Sequence, residues 1–87
     1  MPTQSALFPE VVDLIRVRPD LNEQRFYHLE IQLDLFGRTV LIRRWGRIST
    51  SGRQRLDPHP DAGAALNALT KLARSKRRRG YCERQSA

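Results

Sequence analysis

Residues Arg25–Arg47, RFYHLEIQLDLFGRTVLIRRWGR, decide how this chain folds. From Arg25 to Leu35, Tyr27, Leu29, Ile31, Leu33 and Leu35 are apolar, while His28, Glu30, Gln32 and Asp34 are polar. A period of two marks a strand with one face buried and one face wet. His28 falls on the wet face and reads as an ordinary surface histidine. Gly37, with Phe36 or Arg38, supplies a tight turn, and Thr39–Arg47 returns as a second long strand of an antiparallel hairpin. On this returning strand the two faces tie. Val40 and Ile42 share one face with Arg44, whereas Leu41, Arg43, Trp45 and Arg47 share the other. A guanidinium buried in mid-strand is costly unless it is paired. Arg43 therefore breaks the tie, and Trp45 is expected on the open face with Arg43 and Arg47.

Outward from the hairpin, Val11–Val17 is β-branched enough for a strand, ended by Pro19 and the polar turn Asp20 to Gln24. Ile48 to Gly52 is a polar turn, and Arg53 to Leu56 a short edge strand whose basic residues discourage edge-to-edge association. Asp57-Pro58-His59-Pro60 is expected to stop it. Asp61 then caps a helix in which Ala62, Ala65, Leu66, Leu69, Leu72 and Ala73 form one buried stripe, facing Tyr27, Leu29, Ile31 and Leu33. Gly80 is placed to end the helix, and Tyr81 to fold back over the core. The expected fold class is α+β: a small antiparallel sheet of about four strands with one α-helix packed on one face. The domain is expected over residues 11–82, after a mobile segment 1–10 and before a tail 83–87.

Eighty-seven residues with 39% hydrophobic content allow one domain with a single modest core. A lone Cys82 forms no internal disulfide and, with only His28 and His59 beside it, leaves no ligand set for a zinc site. A reducing, cytoplasmic setting is expected, with nucleoid association if the source is bacterial. No apolar run approaches the roughly 20 residues of a membrane span, so no membrane partner is expected. Charge is uneven: residues 1–36 carry three Arg against six acids, about −3, and residues 37–87 carry thirteen Lys and Arg against three, about +10. That imbalance points to a polyanionic partner, most simply nucleic acid, although a strongly basic protein can also be merely well solvated.

Trp45, the only tryptophan, stands between Arg43 and Arg44 on one side and Arg47 on the other, with Arg53 past the turn. A flat aromatic ringed by guanidinium groups is the composition of a site for stacking and for anions, the two ingredients of nucleic-acid binders that read backbone and sugar rather than sequence. The plainer alternative is a tryptophan that closes the end of the sheet. The run Lys76-Arg77-Arg78-Arg79 adds phosphate contacts, with Lys71 and Arg74 as further contributors, although cations at a helix C-terminus also complement the helix dipole. Ser49, Thr50 and Ser51 read as turn chemistry. The Gly46 to Gly52 interval lacks the Gly-Lys-Ser/Thr ending of a phosphate loop. No nucleophile with its base, pair of converging acids or metal cluster is present, so no enzyme, cofactor or metal is expected.

The triplet Trp45-Gly46-Arg47 follows a strand carrying Phe26-Tyr27 and precedes Gly52, a helix, a basic run and Gly80-Tyr81. In that order and spacing, from Val11 to Tyr81, the chain resembles a WGR domain. The resemblance implies a sheet-and-helix module of DNA-damage-activated poly(ADP-ribose) polymerases, also found as small free-standing bacterial proteins. In the polymerases it binds DNA at strand breaks, with the motif tryptophan on the sugar of a terminal nucleotide. Carried over, Trp45 takes the stacking role, Arg47 contacts DNA or a neighbouring domain, and Gly46 lets the backbone approach closely. Family members often have glycine where this chain has Ser49. The expected function is a non-enzymatic DNA-binding module that is largely sequence-independent and prefers ends or nicks. The alternative is a protein adaptor that docks a separately encoded partner on the Trp45/Arg47 surface.

Overall fold

The computed structural model of the protein describes residues 10–84. Residues 1–9 and 85–87, which hold most of the expected mobile start and tail, lie outside the described residues. Strands β1 (Val11–Arg18), β2 (Glu23–Leu33), β3 (Thr39–Arg47) and β4 (Arg53–His59) precede helix α1 (Ala62–Arg78) and a short β5 (Cys82–Glu83). All five strands pair antiparallel in one sheet, in the order β4-β3-β2-β1-β5. The α+β class holds, with a fifth strand: Cys82 and Glu83 pair with Ile15 and Leu14 along the free edge of β1.

Directly opposed residues of an antiparallel pair share a face, so register assigns the faces. Val12, Leu14, Tyr27, Leu29, Leu41, Leu69, Ala73 and Tyr81 make the core between the sheet's inner face and α1. Leu14, Leu29, Leu41 and Leu69 are the largest fully buried side chains, each worth about 1.5–3 kcal/mol of apolar burial. Helix α1 begins beside Ile31, where Glu10, Ala62, Gly63 and Leu66 line an apolar cleft, and ends over Tyr27. Its cover stops short of Leu33, which the sequence placed beneath it and which is 69% exposed.

Both ends of α1 follow the sequence. Asp61 Oδ1 accepts from the Ala64 N–H at 2.8 Å, the N-cap bond that satisfies one orphan donor of the first turn. At the other end the Tyr81 N–H donates to Lys76 O and the Gly80 N–H to Arg77 O, the Schellman pair. Tyr81 thereby folds back into the core.

Two expectations fail for one reason. Leu41 is fully buried and Trp45 packs against the core, so their face of β3 is the inner one, not the open one. Arg43 shares it and is only 17% exposed. Its cost is offset because β4 does not stop at Asp57: it runs through Pro58 to His59, opposite Val40 and Thr39. Pro58 is tolerated because β4 is an edge strand. Asp57 is thus brought opposite Leu41, where its Oδ2 lies 3.0 Å from Arg43 Nε and its Oδ1 2.8 Å from Arg55 Nε. The Arg43 contact is an ion pair by distance, but its Nε–H is not aligned on the carboxylate.

The turn after β3 is closed by the Thr50 N–H and hydroxyl, both donating to Arg47 O. Ser49, third in this turn, has φ +80°, a left-handed conformation that costs a non-glycine residue about 1 kcal/mol. Ser49→Gly is expected to stabilise the protein by about 1 kcal/mol, read as a higher urea midpoint at unchanged slope; a lower midpoint would count against this strain.

His28 lies on the outer face, as the alternation predicts, but it is not an ordinary surface histidine. Its Nδ1 is 2.5 Å from Asp13 Oδ1 and its Nε2 is 2.9 Å from Glu30 Oε1, with the side chain 15% exposed. Burial pushes its pKa down, but hydrogen bonds to Asp13 and Glu30, with their charges, outweigh this and raise it above 6.5. A raised folded-state pKa gives stability that is complete below 6.5 and is lost as pH rises through the elevated value. The loss expected is about 1 kcal/mol or less, because half-exposed Asp13 is screened by solvent. Denaturation of wild type and His28→Gln across that range checks it: only the wild type should show the loss.

Candidate nucleic-acid interface

At one end of the inner face, three arginines stand in a row across the sheet. Arg16 of β1 opposes Arg25 of β2, which opposes Arg47 of β3. Like charges directly opposite one another repel. Glu23, 16% exposed, offsets this: its carboxylate lies 2.8 Å from Arg16, 3.3 Å from Arg25 and 3.5 Å from Arg18. Arg16 is also held by the Arg79 carbonyl, to which its Nη1 donates at 2.7 Å, and its guanidinium lies 5.0 Å from the centre of the Tyr81 ring. Arg47 is exposed, and among the described residues its guanidinium makes one hydrogen bond, a long 3.4 Å contact to Asn22 O.

The next row inward is aromatic. Leu14, Tyr27, Trp45 and Arg53 lie side by side on β1 to β4. The Trp45 and Tyr27 rings are 6.2 Å apart and tilted by 34°, and Tyr81 meets Tyr27 edge-on at 6.4 Å. Tyr27 and Tyr81 are buried, whereas Trp45 is half-buried at the margin of the core and flanked by exposed Arg53. Lys76 closes the group from above: its ammonium lies 4.5 Å from the Tyr27 ring centre and 5.5 Å from that of Tyr81. Burial, then the charges of Arg79, Arg16, Arg25 and Arg43, hold the Lys76 pKa below its ordinary 10.5. A cleft of about 480 Å³ opens at this end of the sheet, lined by Leu21 to Arg25 with Gly46 and Arg47.

Of the residues predicted from sequence, Trp45, Arg47, Arg53, Lys76 and Tyr27 come together here, with Tyr81 beside them. Arg43 lies on the same face but is engaged by Asp57. Arg44 is on the opposite face, opposed to His28 and 5.9 Å from the Phe26 ring. The basic run is divided. Arg77 is bound by both oxygens of Glu83, at 3.0 and 2.8 Å, while Arg78 and Arg79 are exposed at the helix end. What approaches Gly46 is the chain itself: a Cβ there would lie 2.8 Å from Gly52 Cα. The sequence reading missed Arg16, Glu23 and Arg25. The turn at Asp34–Arg38 pairs Leu33 with Thr39, and counting back from it puts Arg25 opposite Arg47.

Among the described residues, no group of three or more His, Cys, Asp and Glu could hold a metal ion, and no helix is long and apolar enough to cross a membrane. Uncharacterized protein y4dW of Sinorhizobium fredii is 38% identical over 71 residues, which are 82% of this chain and 35% of that protein. The chain thus spans about a third of that relative's length. No solved structure matches it. The match to the WGR domain runs over residues 11–87 and takes in Trp45, Gly46 and Arg47, so the chain belongs to the WGR domain family, known in poly(ADP-ribose) polymerases as a nucleic-acid-binding module.

Proposed function

We propose that this protein is a non-enzymatic DNA-binding module that grips the backbone with little regard to sequence and prefers ends or nicks. The observation that carries the reading is the Tyr27–Trp45 pair at the rim of the inner face, bordered by Arg25, Arg47, Arg53 and Lys76. Cations placed around a partly open indole hold phosphates on either side of a stacked sugar or base. The rim is dominated by guanidinium groups, which suit the phosphate backbone shared by all sequences. Preference for a terminus comes from Trp45, because an indole half-sunk beside Tyr27 offers its surface to a nucleotide free of a neighbour on one side.

The test compares nicked, blunt-ended and covalently closed duplexes. Trp45→Ala is expected to weaken binding to nicked and blunt DNA by about 1–3 kcal/mol, roughly five- to 150-fold, and to leave closed duplex nearly unchanged. Because Trp45 also packs on Tyr27, far-UV circular dichroism should accompany the titration. Tryptophan fluorescence of the wild type gives a second readout, since Trp45 is the sole emitter: quenching or a shift on adding ends is expected. Equal affinity of the wild type for all three duplexes would remove the stacking role.

The second reading is a protein adaptor. A half-buried tryptophan flanked by arginines is also the composition of an interface hot spot. A purified partner that binds after nuclease treatment, and that is lost with Trp45→Ala or Arg47→Ala, would favour it.

A further inference from the structure

Among the sixteen Lys and Arg residues only Lys71 and Lys76 are lysines, yet the cation set between Tyr27 and Tyr81 is a lysine. For charge and stacking alone arginine serves better, with its planar, weakly hydrated guanidinium. An amine alone can shed its proton and attack a carbonyl. The surroundings of Lys76 ease loss of that proton: it is partly desolvated, and the charges of Arg79 at the end of α1, Arg16 on β1, Arg25 on β2 and Arg43 on β3 hold its pKa below 10.5. A share of neutral amine is thus available from what is otherwise a cation over two rings. It stands one ring away from Trp45, over Tyr27.

We propose that the Lys76 amine captures the ring-opened aldehyde of an abasic deoxyribose in DNA as a covalent imine. The inference rests on the DNA-binding reading above. A sugar lying on Trp45 with no base attached leaves its C1′ uncovered on the side where Tyr27 and Lys76 stand. The neutral amine forms a bond to C1′ as the carbonyl oxygen takes up a proton. The carbinolamine so formed loses water, and the C–O bond is replaced by C=N. No oxidant or reductant takes part, and the imine is reversible by hydrolysis. The capture is stoichiometric and needs no catalytic domain.

Sodium borohydride reduces such an imine to a stable secondary amine, so the complex can be trapped. Wild type mixed with a duplex carrying one abasic site and treated with borohydride should give a protein–DNA adduct, and the matching intact duplex should give none. Mass spectrometry of the digested adduct should place the sugar on Lys76. In Lys76→Arg the adduct, counted per bound complex from a parallel anisotropy titration, should fall by about tenfold or more, whereas Lys71→Arg, which keeps its charge, should give the wild-type adduct per bound complex whatever its affinity. An adduct mapped to Lys71 or to the terminal amine overturns the proposal, as does trapping per complex that survives Lys76→Arg. Mapping on the wild type decides the matter even if the variant fails to fold. Binding without any adduct overturns the imine alone; no binding to any duplex overturns the DNA-binding reading as well.

Discussion

DNA affinity is expected to fall about 500-fold as salt is raised from about 50 to 200 mM, a log–log slope near −4.5 for about five neutralised phosphates. The structure narrows which cations can supply them. Arg16 is spent on Glu23 and the Arg79 carbonyl, Arg38 on Asp34, Arg43 and Arg55 on Asp57, and Arg77 on Glu83. At the aromatic rim this leaves Arg25, Arg47, Arg53, Lys76 and Arg79, with Arg25 sharing Glu23 at 3.3 Å. Arg47→Gln should flatten the slope by about 0.9, the share of one phosphate. Arg55→Gln, which loses only the Asp57 contact, should leave it unchanged. Fluorescence anisotropy across a salt series reads both, and a wild-type slope shallower than about −2 would mean that this rim does not track a backbone.

Gly52→Ala is expected to cost roughly 3 kcal/mol or more of stability, a large effect for one methyl group. A Cβ at that position would lie 2.3 Å from the Trp45 carbonyl oxygen and 2.8 Å from Phe26 Cζ, and the backbone has φ +69°. The carbonyl is backbone, so relief requires strands β3 and β4 to part beside Trp45. Gly37 makes the comparison sharp: its φ of +77° is similar, but nothing lies within 4 Å of its Cβ position. Gly37→Ala should therefore carry only the conformational part, about 1 kcal/mol. Urea denaturation of the two variants separates crowding from backbone strain. Equal losses would show that crowding against the Trp45 carbonyl and Phe26 adds nothing to the cost at Gly52.

The two tests are linked through the site. Gly52 fixes the backbone that carries Trp45, and Trp45 with Tyr27 forms the shelf around which the unspent cations stand. A variant that opens this turn should lose preference for ends even where its bulk charge still binds DNA at low salt.

Much of the fold was legible in the residues. Alternation from Tyr27 to Ile31 gave the central strand and its buried face, whereas Leu33 at its end and Leu35 beyond it are exposed; Gly37 gave the hairpin, and Asp61 and Gly80 bounded the helix. The face of β3 was not legible, because Leu41 and Trp45 on one side weigh the same as Val40 and Ile42 on the other. The deciding ion pair joins Arg43 to Asp57, a residue assigned to a strand-stopping segment on the strength of Pro58. On an edge strand proline removes no ladder hydrogen bond that the sheet needs, so the stop signal was weaker than it looked.

The sequence by itself determined the α+β class, the hairpin, the helix with both its caps, and the grouping of Trp45 with Arg47, because these rest on periodicity and on bonds between near neighbours in the chain. Only the tertiary structure decided which cations are free and which are neutralised. It brings Arg16 and Arg25, from the acidic first part of the chain, into the basic site, and ties Arg43 and Arg77 from the basic part to carboxylates. The physical reason is that charge compensation acts across strands over a few ångströms, and the order of residues along the chain does not fix those distances until the sheet has closed.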